Sequence, residues 1–492
     1  MNFGEFLPDQ PEYNNPGSPY VLNVIPASNC YLPFPSFSAV GTSAINARPQ
    51  GAFATKKADS SVFITIGNAT KLYKQIGTTL TDITRSSGGD YACGSDDRWK
   101  FAQFGNRILA TQISDDIQYF DLTSSTNYAK LATSTLQPKA KYIMIVGDFP
   151  VIGFTNESST NYPYRIRWPK ITDIADFDES ATNQSGHQDL PDASNITGLA
   201  GNGKSGIILT EKMLHRMDYV GGSLIFTFDK VTDSIGCQLP PSVISHKENI
   251  FYYSTEGWVR FNGVETEYIG DEKIDRFFAD DFDLNYRYRL STAIYPENKL
   301  LLISYPGKGN VSGTPNKILC YRWDLKKWGY AELTLGMIFN SLSQGFTLED
   351  LSNISSSLDD LPASLDSDIW QGGRNIAGGF NSSHILGGLA GSSLDAVITT
   401  AEFAPISGMK SYIDSVRPTI DGTSATLVTV EDITRDRLID VATENGETSV
   451  ETTGEAFVMQ SARYHKFKIR ITGGFNKAIG IDDIDAVADG SI

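Results

Sequence analysis

From about residue 56 the chain repeats one pattern: an apolar run, a short polar turn, a second apolar run, then a strand ending on an aromatic residue and often Asp. One copy is WKFAQFGNRILAT followed by IQYFDL, with Gly105 and Asn106 at the turn and Phe120 and Asp121 closing the unit. A second is SVISHKENIFYYSTEGWVRFNG, with Glu248 and Asn249 at the turn and Trp258 and Phe261 on the later strand. A third, STAIYPENKLLLISYPG with NKILCYRWDLKKW, places Glu297 and Asn298 at the turn and Tyr321, Trp323 and Asp324 near the end. Weaker copies lie at 61–77, 142–154, 206–222 and 378–394. The pattern describes hairpins in series, with Asn-containing turns supplying the left-handed backbone that tight connections need.

A lone three- or four-stranded sheet cannot bury both its faces, and repetition solves this by packing sheet upon sheet around a ring. The expected fold is therefore all-β: a β-propeller of six or seven blades over residues 56–395. A large irregular β-sandwich, or two stacked β domains, is the other reading of the same pattern. A Ser/Asp-rich stretch at 340–373 interrupts the repeat and predicts an exposed insertion on the rim, with a short helix at 347–354. After residue 396, segments such as SATLVTVEDIT and RYHKFKIRITGG alternate apolar and polar residues, the signature of antiparallel strands with one buried face. They predict a C-terminal β-sandwich over 396–492. Residues 1–55 are rich in Pro, Asn, Ser and Gly and carry aromatics too; they read as an extended arm lying along a neighbouring surface, its own or another subunit's.

Composition narrows the function. The 492 residues hold 41 Lys and Arg against 58 Asp and Glu, a formal net charge of −17, which argues against a protein that grips nucleic acid through phosphate contacts. With 26 Phe, 22 Tyr and 44 Gly the chain is tilted toward strands and turns. Its longest apolar stretches, such as YIMIV and LLLI, are far too short for a membrane helix. The N-terminal stretch has no basic residue before Arg48 and no apolar segment of signal-peptide type, so the expectation is a chain that stays in the compartment where it is made. Cys30, Cys93, Cys237 and Cys320 are widely spaced and read as reduced structural thiols.

Candidate chemistry is sparse. GLAGNGKS at 198–205 satisfies the P-loop spacing through Gly198, Gly203, Lys204 and Ser205. That spacing cradles phosphate only where a buried strand precedes it and a helix follows; here a polar stretch precedes, and the following segment stays in register with the hairpins. Gly201 and Gly203 are expected to serve a β-turn. His187, His215, His246, His384 and His465 stand singly, without metal-pair spacing. No G-x-S-x-G elbow marks a nucleophile. The acid pairs Asp96/Asp97, Asp115/Asp116, Asp359/Asp360 and Asp482/Asp483 are adjacent in sequence, whereas a glycosidase needs carboxylates facing across a cleft. Trp168, Trp258, Trp323 and Trp328 are expected to wedge between blades rather than form sugar platforms. The sequence thus predicts no catalytic, cofactor-binding or metal-binding residue, no cofactor and no enzymatic activity.

Several stretches resemble the tail nozzle, or packaged-DNA-stabilisation, proteins of short-tailed bacteriophages: PDQPEYNNPGS near the N-terminus, the span from GSLIFTFDKV through GCQLPPSVISHKENIFYYSTEGWVRFNG to IGDEKIDRFF, SLDSDIWQGG, and RYHKFKIRITGG. They occur in order over most of the chain. The resemblance implies a structural virion subunit that forms a homo-hexameric ring beneath the portal and adaptor, retains packaged double-stranded DNA and conducts it on ejection. It also implies contacts with adaptor, tail fibres or spikes, and a distal needle or plug. Such a hexamer would carry about −100 charges, so acids are expected to outnumber bases along its lumen and let DNA slide without sequence-specific binding. The alternative function is a carbohydrate-binding or glycan-cleaving receptor-binding propeller of the tail.

Overall fold

In the computed structural model, all residues are described here except 58–60, 181–182, 191–193, 223, 344–350, 352–354, 356, 362–363, 368–371 and 491–492. Seven four-stranded antiparallel sheets follow one another along the chain. Blade 1 is Gly51–Lys56, Val62–Gly67, Leu72–Ile76 and Thr79–Asp82; blade 2 opens at Lys100–Phe104, blade 3 at Lys139–Val146, blade 4 at Ile196–Asn202, blade 5 at Ile244–His246 and blade 6 at Ser291–Tyr295. Blade 7 takes three strands from late in the chain, Met337–Leu342, Asn375–Phe380 and Ile385–Ser393, and its outermost strand, Pro35–Ala44, from near the N-terminus. Gly387 pairs with Ala39 and Gly388 with Ser38, antiparallel. The first strand of blade 7 lies against the first strand of blade 1, which closes the ring. This is a seven-bladed β-propeller.

The reason for continuous apolar runs is visible at each blade interface. Side chains alternate across a strand, so a strand buried on both faces is apolar at every position. In Leu300–Tyr305, Leu300 and Leu302 join the cluster shared with blade 7, while Leu301 and Ile303 join the cluster shared with blade 5. Ile108 and Ala110 face blade 1, and Leu109 faces blade 3. Every one of the seven interfaces has its own buried cluster built this way. Each fully buried large side chain contributes about 1.5–3 kcal/mol.

The tight turns differ from expectation in their register. Gly105 does take a left-handed φ of +56°, but the next two hairpins place Lys247 (φ +56°) and Lys299 (φ +49°) in that region, each one residue away from the expected pair. Strand pairing decides this: His246 pairs with Asn249 and Tyr295 with Leu300, so both asparagines are displaced from the strained position. The insertion also differs. Asn340 to Leu342 belong to the first strand of blade 7, and the excursion leaves between that blade's first and second strands. Most of the expected helix at 347–354 lies outside the described residues; Leu351 is buried against Val40 of the closing strand.

Beyond residue 396 stand two five-stranded sheets. One runs in the order Tyr20–Leu22, Ala396–Thr399, Tyr464–Ile471, Val428–Arg435, Thr443–Ser449; the other runs Val24–Pro26, Tyr31–Pro33, Lys477–Ala488, Ser411–Asp421, Ala456–Ala462. Ile398, Val430 and Ile469 of the first and Ile413, Val416 and Ile481 of the second enter one buried cluster, which continues into blades 5 and 6.

Residues 1–55 are therefore not a separate arm. They supply edge strands to both C-terminal sheets, the closing strand of blade 7 and, from Gly51, the first strand of blade 1. The prolines that mask them in sequence are tolerated because edge strands leave N–H groups unpaired. The first residues are fastened as well. The Asp9 carboxylate accepts from the Arg276 and Phe277 amides at 2.8 and 2.7 Å, capping the short helix Asp275–Asp281, and Phe6 packs edge-on against Phe277. Asn23 joins both bodies: its amide donates to the Asp395 carbonyl at 2.8 Å, and its side-chain oxygen accepts from Glu332 N at 2.9 Å.

Gly329, on the outer strand of blade 6, sits where this junction is closest. A Cβ there would lie 2.7 Å from both the Val24 carbonyl oxygen and Pro26. Gly329→Ala is expected to lower stability by about 1–3 kcal/mol in chemical denaturation and to speed proteolytic cleavage within residues 20–34.

Candidate functional site

The innermost strands of a propeller surround its axis, and here two adjoining cavities mark that axis. One, of about 300 Å³, is lined from the first strands of blades 1, 2, 5, 6 and 7, with Phe53, Phe101, Ile244, Thr292 and Phe339 among its walls. The other, of about 440 Å³, opens where the first strands of blades 2, 3 and 4 begin, and includes Lys141, Tyr142 and Thr197. Arg98, Lys100 and Pro241 wall both. Together the two touch the first strand of every blade.

Arg98, Lys100, Lys141 and Arg287 line the larger cavity, while Arg48 and Arg289 lie near Arg98 outside its lining. Arg98 is held by its fork: Nε and Nη2 donate to the Tyr288 carbonyl at 3.1 and 2.7 Å, and Nη2 to the Leu290 carbonyl at 2.5 Å. Arg48 donates to the Ser95 carbonyl at 2.6 Å and lies over the Tyr288 ring at 5.5 Å. Arg289 donates to the Ser312 carbonyl at 2.7 Å, while its Nε is buried without a partner. These anchors are neutral carbonyls, so they fix the guanidinium groups without cancelling their charge. Lys100 makes no hydrogen bond or ion pair among the described residues. Burial, then the neighbouring Arg98, pushes its ammonium down to about 8. Burial first, then Arg48 and Arg289, lowers Arg98 as well. Three carboxylates share this lining: Asp97 pairs with Lys141 at 3.2 Å, Glu211 accepts from Asn195 at 2.9 Å, and Asp96 accepts from Ser95 Oγ at 2.9 Å.

The residues singled out in the sequence are placed as follows. Residues 198–205 form the hairpin between Ile196–Asn202 and Ser205–Thr210, with Asn202 paired to Ser205 and Gly203 at φ +64°; no helix follows, so no amides converge on a phosphate. His187 lies 2.6 Å from Glu179, and His246 packs on Trp323. Among the described residues no three His, Cys, Asp or Glu side chains gather as a metal set. Asp115 pairs with Arg85 and Asp116 with Lys130, so this acid pair serves two separate bridges. Trp168 and Trp328 stand at blade interfaces, the latter donating to the Ile269 carbonyl of the preceding blade at 2.7 Å; Trp258 is fully buried beside Phe278, and Trp323 is half-buried on Phe251. Trp99, not singled out in the sequence, does the same between blades 1 and 2, donating to the Asn68 carbonyl at 2.9 Å. Cys93, Cys237 and Cys320 are buried, with burial raising each thiol, and all four cysteines are free.

One arrangement invisible in the sequence has the outline of a hydrolase triad. His465 Nδ1 lies 2.8 Å from Asp432 Oδ2, and its Nε2 is 3.2 Å from Ser411 Oγ. Two facts make it structural. The His465 and Asp432 side chains are completely buried, and Nε2 also lies 3.1 Å from the Ala462 carbonyl and 3.2 Å from the Ser411 carbonyl. Facing carbonyl oxygens, Nε2 must carry the proton and cannot accept one from Ser411. The group ties three strands of the C-terminal sheets together.

The axial cluster is not legible in the sequence because Arg48, Arg98 with Lys100, and Arg289 come from three separate segments. Because the Lys100 pKa is lowered on folding, the native state binds fewer protons above its folded pKa than the unfolded chain does. Stability is thus expected to gain from this group as pH rises from about 8 toward 10, by at most about 1.4 kcal/mol per unit. Denaturation of the wild type and Lys100→Met across this interval checks it: the gain should appear as a difference between the two.

No family model and no curated protein sequence matches the chain. Among solved structures, BamB from Moraxella catarrhalis is similar at 10% identity and a TM-score of 0.36, covering 74% of this chain and 92% of that one. The WD40 domain of Pan2 from Neurospora crassa gives 8% and 0.37, covering 64% and 90%. The N-terminal domain of Nup159 gives 8% and 0.36, covering 73% and 98%.

Proposed function

We propose that this protein is a structural subunit of a short-tailed bacteriophage tail nozzle, a ring that retains packaged DNA below the portal and adaptor and conducts it during ejection. The sequence stretches quoted above suggest the family. The structural observation that carries the reading is a rigid body with unfinished edges. The propeller and the C-terminal sheets share one core, yet Thr443–Ser449 and Ala456–Ala462 each end a sheet with a free side. Between Val428–Arg435 and Thr443–Ser449, Ile439 and Val441 are 90% and 92% exposed, with Leu438 beside them. Free sheet edges and clustered exposed apolar side chains are features of surfaces that a partner covers. In a ring with cyclic symmetry that partner is the next subunit, through a heterologous contact.

The charge distribution agrees with conduction. On Lys477–Ala488, Asp482, Asp483 and Asp485 are exposed and make no ion pair among the described residues. An acidic wall repels phosphate, and in this reading the strand Lys477–Ala488 faces the lumen. Among the described residues no helix is long and apolar enough to cross a membrane.

Imaging of the purified chain, alone and with its adaptor, is expected to show six-fold rings. Ile439→Asp with Val441→Asp should abolish them while leaving the melting temperature of the monomer within a degree or two. A map of the assembled ring should place more acids than bases along the lumen; a net basic lumen, or rings unaffected by the double substitution, would count against the reading.

A further inference from the structure

The axial mouth has the opposite sign to the rest of the molecule. A chain with net charge −17 gathers Arg48, Arg98, Lys100 and Arg289 at one end of its propeller axis, with Lys141 and Arg287 at the rim. Against these stand Asp96, Asp97 and Glu211, of which Asp97 is already paired with Lys141. Clustering like charges out of bulk water is costly unless a counter-charge is present. Three of the guanidinium groups are pinned by backbone carbonyls, which hold them in place as a preformed charged wall. Lys100, which lines both cavities, has no hydrogen-bond or ion-pair partner among the described residues. The cavity of about 440 Å³, walled by blades 2, 3 and 4 and by the connections at 238–241 and 287–288, has room for a small ion with water but not for a nucleic-acid duplex.

We propose that the propeller axis is a binding site for a small, multiply charged oxyanion of the phosphate class, held by Lys100 and Arg98, with Arg287 at the rim. Arg presents planar N–H donors suited to phosphoryl oxygens, and Lys adds a compact charge. The bound anion neutralises the cluster and ties together residues 98–100 at the start of blade 2 and residues 287–288 before blade 6, so occupancy acts as a bolt across the ring. The inference is independent of the nozzle reading, since it concerns each chain by itself.

The test uses the full chain and inorganic phosphate as probe, with sodium chloride at matched ionic strength as control. Calorimetric titration should show one saturable site per chain, and phosphate should raise the melting temperature beyond the chloride control. Lys100→Met should weaken phosphate at least tenfold while melting no lower than the wild type in chloride. Lys100→Arg, which keeps the charge should the first variant fold poorly, should retain most of the affinity. Lys204→Ala, on a remote hairpin, should change nothing. Equal effects of phosphate and chloride, or phosphate binding undiminished by Lys100→Met, would overturn the proposal. A short DNA duplex should not compete; competition at equal phosphate concentration would also overturn it, by pointing to polymer phosphate on an open surface.

Discussion

Each sheet of the propeller is apolar on both faces, and that constraint governs the rest. A four-stranded sheet with Leu300 and Leu302 on one side and Leu301 and Ile303 on the other needs a neighbour on each side. Stacking alone would leave two naked outer faces, so the stack must curve until the last sheet meets the first. Seven sheets achieve this, with Met337 and Phe339 of blade 7 packing on Ile64 and Ile66 of blade 1. The closure is made by chain segments some 350 positions apart in sequence, Pro35–Ala44 with Ile385–Ser393. Such contacts are entropically late, because the intervening loop must be ordered before they form.

The same early segment has a second task. Having paired with blade 7, it also supplies Tyr20–Leu22 and Val24–Pro26 to the C-terminal sheets, so the ring cannot close without drawing those sheets against blade 6. Gly329 is the point at which the approach is tightest. The propeller and the C-terminal sheets therefore share one core.

Polarity is arranged to match. Several buried ionic groups away from the axis sit in local sets: Glu157 with Arg165 and Arg167, Asp281 with Lys317 and Tyr305, and Asp432, through one of its two oxygens, with His465. These pin strands in register, and their burial leaves them no substrate to meet. The axis is the exception, a place where cations are held in position by neutral carbonyls and remain electrically unanswered.

The periodicity of the sequence determined the strands, the repeat and the ring, because two-faced burial writes itself as short continuous apolar runs such as LLLI and VFITI. It also placed the tryptophans between blades and the P-loop spacing in a hairpin, since neither depends on distant partners. Tertiary structure alone decided the number of blades, the use of residues 20–44 as edge strands, and the gathering of Arg48, Arg98, Lys100 and Arg289. A Pro-rich strand on a sheet edge lacks the alternation of a half-buried one, and its partners lie hundreds of residues away. Single cations spaced along a chain carry no mutual signal. Only when the ring closes do the starts of its innermost strands converge, and only then does isolated charge become a site.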